Sequence, residues 1–427
     1  MSKMGTSFGT ILRDHRQRAG ITQRQLADLA GLSERAVRDL EVKRTHRPRL
    51  DTVRMLVQAL RLTGRAQHDF ESAAGRARPA DLASHALSGS IAPPTPTNGL
   101  VGREQEVHAL IDWLVTRSER LVTLTGVGGV GKTRLAADIA RRLHADDWPV
   151  LWISRQGAPQ FPFEGSIRSY LDGSTANLAD VVQGLSDVVG DKPSLLVCDA
   201  AESIDPLCAQ LLLQRFTTLR IVLTARTPAG GPSERVFPVF PLLLPDRGGH
   251  EQWHEPTASI LLLRNYVRYY VPEFDVTREN GRSLAAICNL VDGVPGTMKQ
   301  ISSRFAFSSS DCVLDQISRD YVRVVSQGTT HDSAPGVAES VHSAVAELTG
   351  RSRSFFGRLV RIPDSWSVDE AAQISGYSDV EAVDFVQDLL AHGLAMPTGK
   401  PQYPQFRILN MVRQFHGAPA REHCGLP

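Results

Sequence analysis

Residues 121–136, LVTLTGVGGVGKTRLA, set the octet GVGGVGKT between a β-branched apolar run and a helix-forming run. A segment that wraps phosphate needs this order: a buried strand, a glycine-rich turn, and a helix that begins at the anion. In the pattern G-x-x-x-x-G-K-[ST], Gly126, Gly129 and Gly131 let the backbone curl without Cβ clashes, so that the amides of Val127, Gly128 and Val130 as well as their own can turn inward. The helix dipole then favours negative charge, Lys132 reaches the β- and γ-phosphates, and the Thr133 hydroxyl ligates Mg²⁺; Arg134 follows in the same first turn. A P-loop with ATP or ADP and Mg²⁺ as cofactors is the expectation.

Three more apolar runs, VLWIS at 150–154, SLLVCDA at 194–200 and RIVLTAR at 220–226, read as buried parallel strands separated by helical segments, which makes an α/β domain. Asp199 ends one of them, where P-loop proteins hold Mg²⁺ directly or through water; a strand-end turn residue would look the same. Glu202 either positions a water or is an exposed carboxylate at a helix start.

A chain of 427 residues with 42% apolar composition holds two to four domains. No apolar run approaches the roughly 18 residues of a membrane span, and MSKMGTSFGT lacks the order of a signal peptide, so a cytoplasmic location without membrane contact is expected. The five cysteines are scattered, with no C-x-x-C pair for zinc or redox chemistry. Net charge is +1, yet residues 1–78 carry 16 Lys+Arg against 8 Asp+Glu, leaving the remainder at −7. That asymmetry points to a basic nucleic-acid-binding module on a mildly acidic body.

Residues 8–60 contain four short amphipathic patterns, FGTILRDHRQRAG, TQRQLADLAG, SERAVRDLEVKR and LDTVRMLVQALRL. Gly20 closes the first, Thr22 with Gln25 makes a capping box for the second, Gly31 occupies the turn, and Ser33 caps the third. This is a helix-turn-helix. Leu26, Leu29, Leu32, Val37 and Leu40 are expected in the shared core, with Gln23, Arg24, Ser33, Glu34, Arg35 and Arg38 facing outward. Ser33, Glu34, Arg35 and Arg38 are candidates for base-edge contacts in duplex DNA, and Lys43, Arg44, Arg47 and Arg49 for phosphates. The segment ITQRQLADLAGLSERAVRDLE resembles the Cro/C1-type (Xre-like) helix-turn-helix family. A four-helix bundle whose basic face serves protein contacts is the alternative.

Residues 79–98, ending in APPTPTN, read as an extended linker. Beyond it LVGREQEV, GVGGVGKT, LLVCDAAE, VLTARTP and DGVPGTMKQISSR occur in an order that resembles the STAND class of P-loop NTPases, in the NB-ARC-like branch of actinobacterial regulators. The resemblance implies a P-loop domain over 99–245, a helical lid over 246–335 and a winged-helix-like domain over 336–427, with the helix-turn-helix over 1–78. It also implies that Arg226 faces the γ-phosphate, with Asp199 and Glu202 as the other catalytic candidates, and that Pro295 lies against the base; a surface Arg after a strand and a turn or helix-start proline are the lesser readings of the two residues themselves. Capping boxes at Ser367/Glu370 and Ser378/Glu381 mark two C-terminal helices, and LAMPTGKPQYPQFRILNMVRQF a wing. A second DNA-reading element, with Lys400 on the wing, competes with a domain folded back on the nucleotide.

Several positions depart from the family pattern. Ala200 stands where relatives place Asn or an acid, Leu409 and Asn410 replace a His-Asp or Leu-Glu pair, and Gly296 and Thr297 replace apolar residues. Slow or absent hydrolysis with retained binding follows. No repeat of 20 to 50 residues is present, so sensing runs through another protein or the nucleotide ratio, or the sequence is a shortened relative. The resulting expectation is a nucleotide-regulated DNA-binding transcriptional regulator that self-associates in its ATP form, against a signalling scaffold whose N-terminal module recruits protein; a metabolic ATPase lacks a substrate acid/base constellation.

Overall fold

The computed structural model describes residues 8–41, 50–60, 70, 93–94, 99–154, 164–173, 181–182, 185–186, 189, 192–202, 204–245, 256–326, 337–398 and 404–416. Lys43, Arg44, Arg47, Arg49, Lys400 and most of the expected linker lie outside them. Two compact units divide the chain, Met1–Gly89 with Gln183–Val188 in one, and Ser90–Val182 with Val189–Pro427 in the other.

The first unit holds α1 (Phe8–Arg18), α2 (Gln23–Ala30), α3 (Glu34–Glu41) and α4 (Leu50–Ala59). Both bonds of the Thr22–Gln25 capping box form, Gly20 and Gly31 take positive φ, and Ser33 Oγ accepts from Ala36 N at 3.1 Å. Leu12, Leu26, Val37 and Leu56 are fully buried at the centre, with the Phe8 and Phe70 rings 5.0 Å apart beside them. Leu29 is not in this core but 63% exposed. At about 100° per residue the buried stripe of α2 centres on Leu26, Ala27 and Ala30, and Leu29 falls well to its side. A carboxylate ties three helices together. Glu41, buried, accepts from Arg16 Nε at 2.7 Å and Gln23 Nε2 at 2.8 Å, with Arg13 at 3.5 Å.

In the second unit a five-stranded parallel sheet, β1 (Leu121–Thr125), β2 (Val150–Ser154), β3 (Ser194–Asp199), β4 (Leu219–Thr224) and β5 (Glu234–Pro238), has the order β2-β3-β4-β1-β5. The first four are the expected strands, nearly continuous in buried residues. β5, paired with β1 along one edge, was not foreseen. The order inserts β4 between β1 and β3, and since all strands are parallel their C-terminal ends meet on one side, where ligands of such sheets bind. α5 (Glu104–Ile111) precedes β1; α6 (Lys132–Ala145) follows it and packs on β1 to β4; α7 (Glu164–Leu171) and α8 (Pro206–Arg215) follow β2 and β3.

The helical segment α9 (Ala258–Val267), α10 (Gly281–Leu290), α11 (Pro295–Ser302), α12 (Ser310–Arg319) and α13 (Tyr321–Ser326) comes next. The C-terminal region has α14 (Val337–Glu347), α15 (Gly350–Leu359), α16 (Val368–Ser375), α17 (Asp379–Ala391), the antiparallel hairpin β6 (Ala395–Pro397) and β7 (Phe406–Ile408), and α18 (Asn410–His416). Both expected capping boxes form, at Ser367/Glu370 and Ser378/Glu381. One apolar core runs from the sheet through α9–α13 into α14–α18.

Candidate functional site

The turn after β1 has the backbone of an anion cradle. Gly126, Gly129 and Gly131 sit at φ 138°, 80° and 110°, values that L side chains rarely adopt, and α6 starts at Lys132. Gly131 has no atom within 4 Å of where a Cβ would be, so the helix start stays open toward a cavity of about 1070 Å³. Leu100, Val101, Leu262, Tyr266 and Pro295 line the cavity together with Lys132, Thr133 and Arg134. Its volume and apolar-with-cation lining suit a nucleotide. Arg103 of LVGREQEV is buried and braces the loop, donating to Val130 O at 3.0 Å and Glu106 Oε1 at 2.9 Å.

Lys132 Nζ donates to Gly126 O at 2.7 Å and Val127 O at 3.1 Å. Burial pushes its ammonium down to about 8; Glu202 and Asp199 pull it upward, and Arg226 pushes it further down. Asp199 Oδ1 accepts from Thr133 Oγ1 at 2.7 Å and from Thr224 Oγ1 at 2.6 Å. Thr224, on the inserted strand β4, also receives Ala200 N at 3.0 Å, and sequence reasoning passed over it because its role depends on strand order. A Thr–Asp pair beside a partly buried lysine is a donor set for a phosphate-bound Mg²⁺, so these residues fit the expected group. Arg226 Nε lies 3.4 Å from Glu202 Oε1, and these two candidates pair with one another.

Two distant segments touch the loop. The amide of Gly296, in the first turn of α11, donates to Gly129 O at 2.8 Å; a Cβ on Gly296 would stand 2.7 Å from Gly129 Cα. Pro295 is both the first residue of α11 and part of the cavity wall. From the C-terminal region, Ser340 Oγ accepts from Gly128 N at 2.6 Å, and a Cβ on Gly393 would stand 2.6 Å from Val127 N. α11 is tied to the C-terminal region through the preceding Asp292. This buried carboxylate accepts from Arg407 Nη1 at 2.7 Å and Met411 N at 2.9 Å. Burial pushes it above the ordinary carboxylate range against the pull of Arg407 and of the Met411 and Asn410 amides. Asn410 donates to Asn289 O at 2.9 Å, away from the loop.

On the helix-turn-helix, Arg24, Ser33, Glu34, Arg35 and Arg38 are exposed. Arg38 pairs with Glu34 at 3.3 Å and Arg35 approaches Asp39 at 3.9 Å, surface pairs of little strength. Gln23 departs from expectation: it turns inward to Glu41. Around Gly376, α16 and α17 repeat a helix-turn-helix shape, but residues 367–391 hold six acids and no Lys, Arg or His. Ile374, Val380 and Val383 are exposed there. Arg351 and Arg358 of α15 pack beside these helices, Arg351 pairing with Glu381 and both lying over the Tyr377 ring.

Comparison with known proteins agrees at the N-terminus, where residues 7–70 match the family model described as a helix-turn-helix domain. The fold and site therefore define a helix-turn-helix domain followed by a parallel-sheet α/β domain that resembles a P-loop ATPase. A provisionally named HTH-type transcriptional regulator of Mycobacterium tuberculosis is 24% identical over 314 residues, which are 69% of this chain and 33% of that protein. This chain thus spans about a third of the length of the first curated relatives it matches. An uncharacterized protein of the same organism is 23% identical over 338 residues, covering 74% of this chain and 79% of the relative. Among solved structures, AMPPCP-bound DnaA from Aquifex aeolicus aligns with a TM-score of 0.32 at 13% identity, over 71% of this chain and 92% of that one.

Proposed function

We propose that this chain is a cytoplasmic, nucleotide-regulated DNA-binding transcriptional regulator of the STAND class with an NB-ARC-like site. In this reading the lid (α9–α13) and the winged-helix-like region (α14–α18) stay closed over the P-loop with ADP bound, and open with ATP bound. The open form self-associates and sets two or more helix-turn-helix modules on spaced half-sites. One observation carries the reading: Gly128 N bonds to Ser340 Oγ at 2.6 Å, a direct contact between the loop and the C-terminal region that supports coupling of the two. Lys132, Thr133, Arg134 and the loop amides would hold the phosphates, Thr133 and Asp199 the Mg²⁺, and Pro295 the base side. Bound Mg²⁺ would neutralise phosphate charge. Glu202 and Arg226 stand ready for slow turnover, and the switch needs only different affinity of the two states for the two nucleotides.

The test is selection of bound sequences from random duplex DNA by the full chain, in parallel with ADP and a non-hydrolysable ATP analogue. A spaced repeat enriched only with the analogue supports both halves; equal enrichment in the two arms removes the switch. The competing reading is a scaffold whose N-terminal module recruits protein. Arg35→Ala with Arg38→Ala separates the two: loss of about 1 to 3 kcal/mol of specific DNA binding per contact is expected of the regulator, and none of the scaffold.

A further inference from the structure

The loop amide nearest the terminal-phosphate end of the cradle already has a partner. Lys132, the group that reaches β- and γ-phosphates in P-loops, lies against the carbonyls of Gly126 and Val127, so the terminal phosphate belongs at the Gly126–Gly128 end. Gly129 to Arg134 instead line the cavity, together with Leu100, Val101 and Pro295. Ser340, in the first turn of α14 and 1% exposed, meets the loop at the Gly126–Gly128 end, its hydroxyl accepting from Gly128 N at 2.6 Å. Fit there is tight: a Cβ on Gly128 would stand 2.8 Å from Ser340 Cβ and Oγ alike. Asn410, which with Leu409 stands where the family resemblance places a His-Asp or Leu-Glu pair, donates to Asn289 O at 2.9 Å.

We propose that Ser340 is the residue by which this site distinguishes a nucleoside triphosphate from a diphosphate. With a diphosphate the Gly128 amide keeps its bond to Ser340 Oγ and α14 stays seated. A terminal phosphoryl oxygen, an anion and the stronger acceptor, competes for the same amide, and its volume overlaps the place that Ser340 fills. The inference rests on the nucleotide-binding reading above.

The experiment measures Kd for ADP and for a non-hydrolysable ATP analogue, each with Mg²⁺, on the full chain, on Ser340→Ala and on Ser340→Asp. Removing one neutral hydrogen bond that favours the closed arrangement should lower the ratio of analogue Kd to ADP Kd about fivefold in Ser340→Ala. A carboxylate at the Gly128 amide should raise that ratio at least about tenfold in Ser340→Asp. Thermal unfolding of each variant checks its fold, and the smaller alanine keeps the proposal testable if the aspartate variant does not fold. An unchanged ratio in folded Ser340→Ala, from a protein that binds both nucleotides, overturns the role of Ser340 alone. A wild-type chain that binds neither nucleotide overturns the nucleotide reading, and this role with it.

Discussion

Raising the pH should loosen nucleotide binding through one group, Lys132. Burial in the loop brings its ammonium from 10.5 down to about 8, a difference that disfavours the charged form by roughly 3 kcal/mol. Phosphate oxygens restore the charge, so the liganded lysine keeps its proton. Below pH 8 the lysine is charged with and without ligand, and Kd stays level. Above it the unliganded site has lost the proton and binding must take one up. Kd should therefore rise about tenfold between pH 7 and pH 9. Isothermal titration with ADP and Mg²⁺ at pH 8.5, in two buffers of different ionisation enthalpy, should register uptake of about three quarters of a proton. Without ligand the sign is the depressed-base one: the charged lysine weakens the fold below pH 8, and stability recovers as pH rises from about 8 toward 10.5. A level Kd from pH 7 to 9 with buffer-independent heats, in protein that binds ADP, would refute the reasoning, and Lys132→Met should abolish the pH dependence along with most of the affinity.

Three further outcomes are expected. Glu41→Ala leaves Arg16 facing a buried site without its anion and should cost the helix-turn-helix about 3 kcal/mol in urea unfolding of the full chain. Burial raises the Glu41 pKa, but the bonds from Arg16 and Gln23 and the charges of Arg16 and Arg13 bring it below 4.5. That stability is present above pH 4.5 and is lost as pH falls through the folded value. Asp292→Ala strands the Arg407 guanidinium and uncaps Met411 N, and should cost the second unit about 3 to 5 kcal/mol in the same assay. Ala200→Gly relieves a non-glycine residue at φ 57° and should raise stability by about 0.5 to 1 kcal/mol; a lower melting temperature would count against strain there.

What the sequence made legible is what neighbours in sequence determine. The P-loop glycines, the Thr22–Gln25, Ser367–Glu370 and Ser378–Glu381 capping boxes and strands β1 to β4 each depend on residues within a few positions, and each stands where it was expected. β5 escaped because its own residues are only partly buried: Glu234–Pro238 carries no buried run, begins with a charged pair and ends on proline, unlike the other edge strand, β2, which is almost wholly buried. Gln23 and Leu29 were misread for a tertiary reason. The partner of Gln23 lies 18 residues on, at Glu41, and the side of α2 that α3 and α4 cover is set by packing more than by apolar spacing.

Gly296 shows how the site itself exceeds the local signal. In the sequence it reads as a loss, a small residue where relatives carry an apolar one early in a helix. In the fold the loop comes so close that a Cβ would stand 2.7 Å from Gly129 Cα, and the Gly296 amide, one of those a helix start leaves without a partner in its own turn, donates to Gly129 O. Asp292, four residues earlier, carries that contact on to Arg407 and α18, while Ser340 and Gly393 return to Gly128 and Val127 from the other side. The chain therefore closes a ring of backbone and buried polar contacts from loop to α11 to C-terminal region and back to loop. Rigid packing transmits a displacement at any one point to its neighbours. A change at Gly128 or Gly129 reaches both α11 and α14, which is the structural requirement for reading the occupancy of a phosphate loop as the position of a domain.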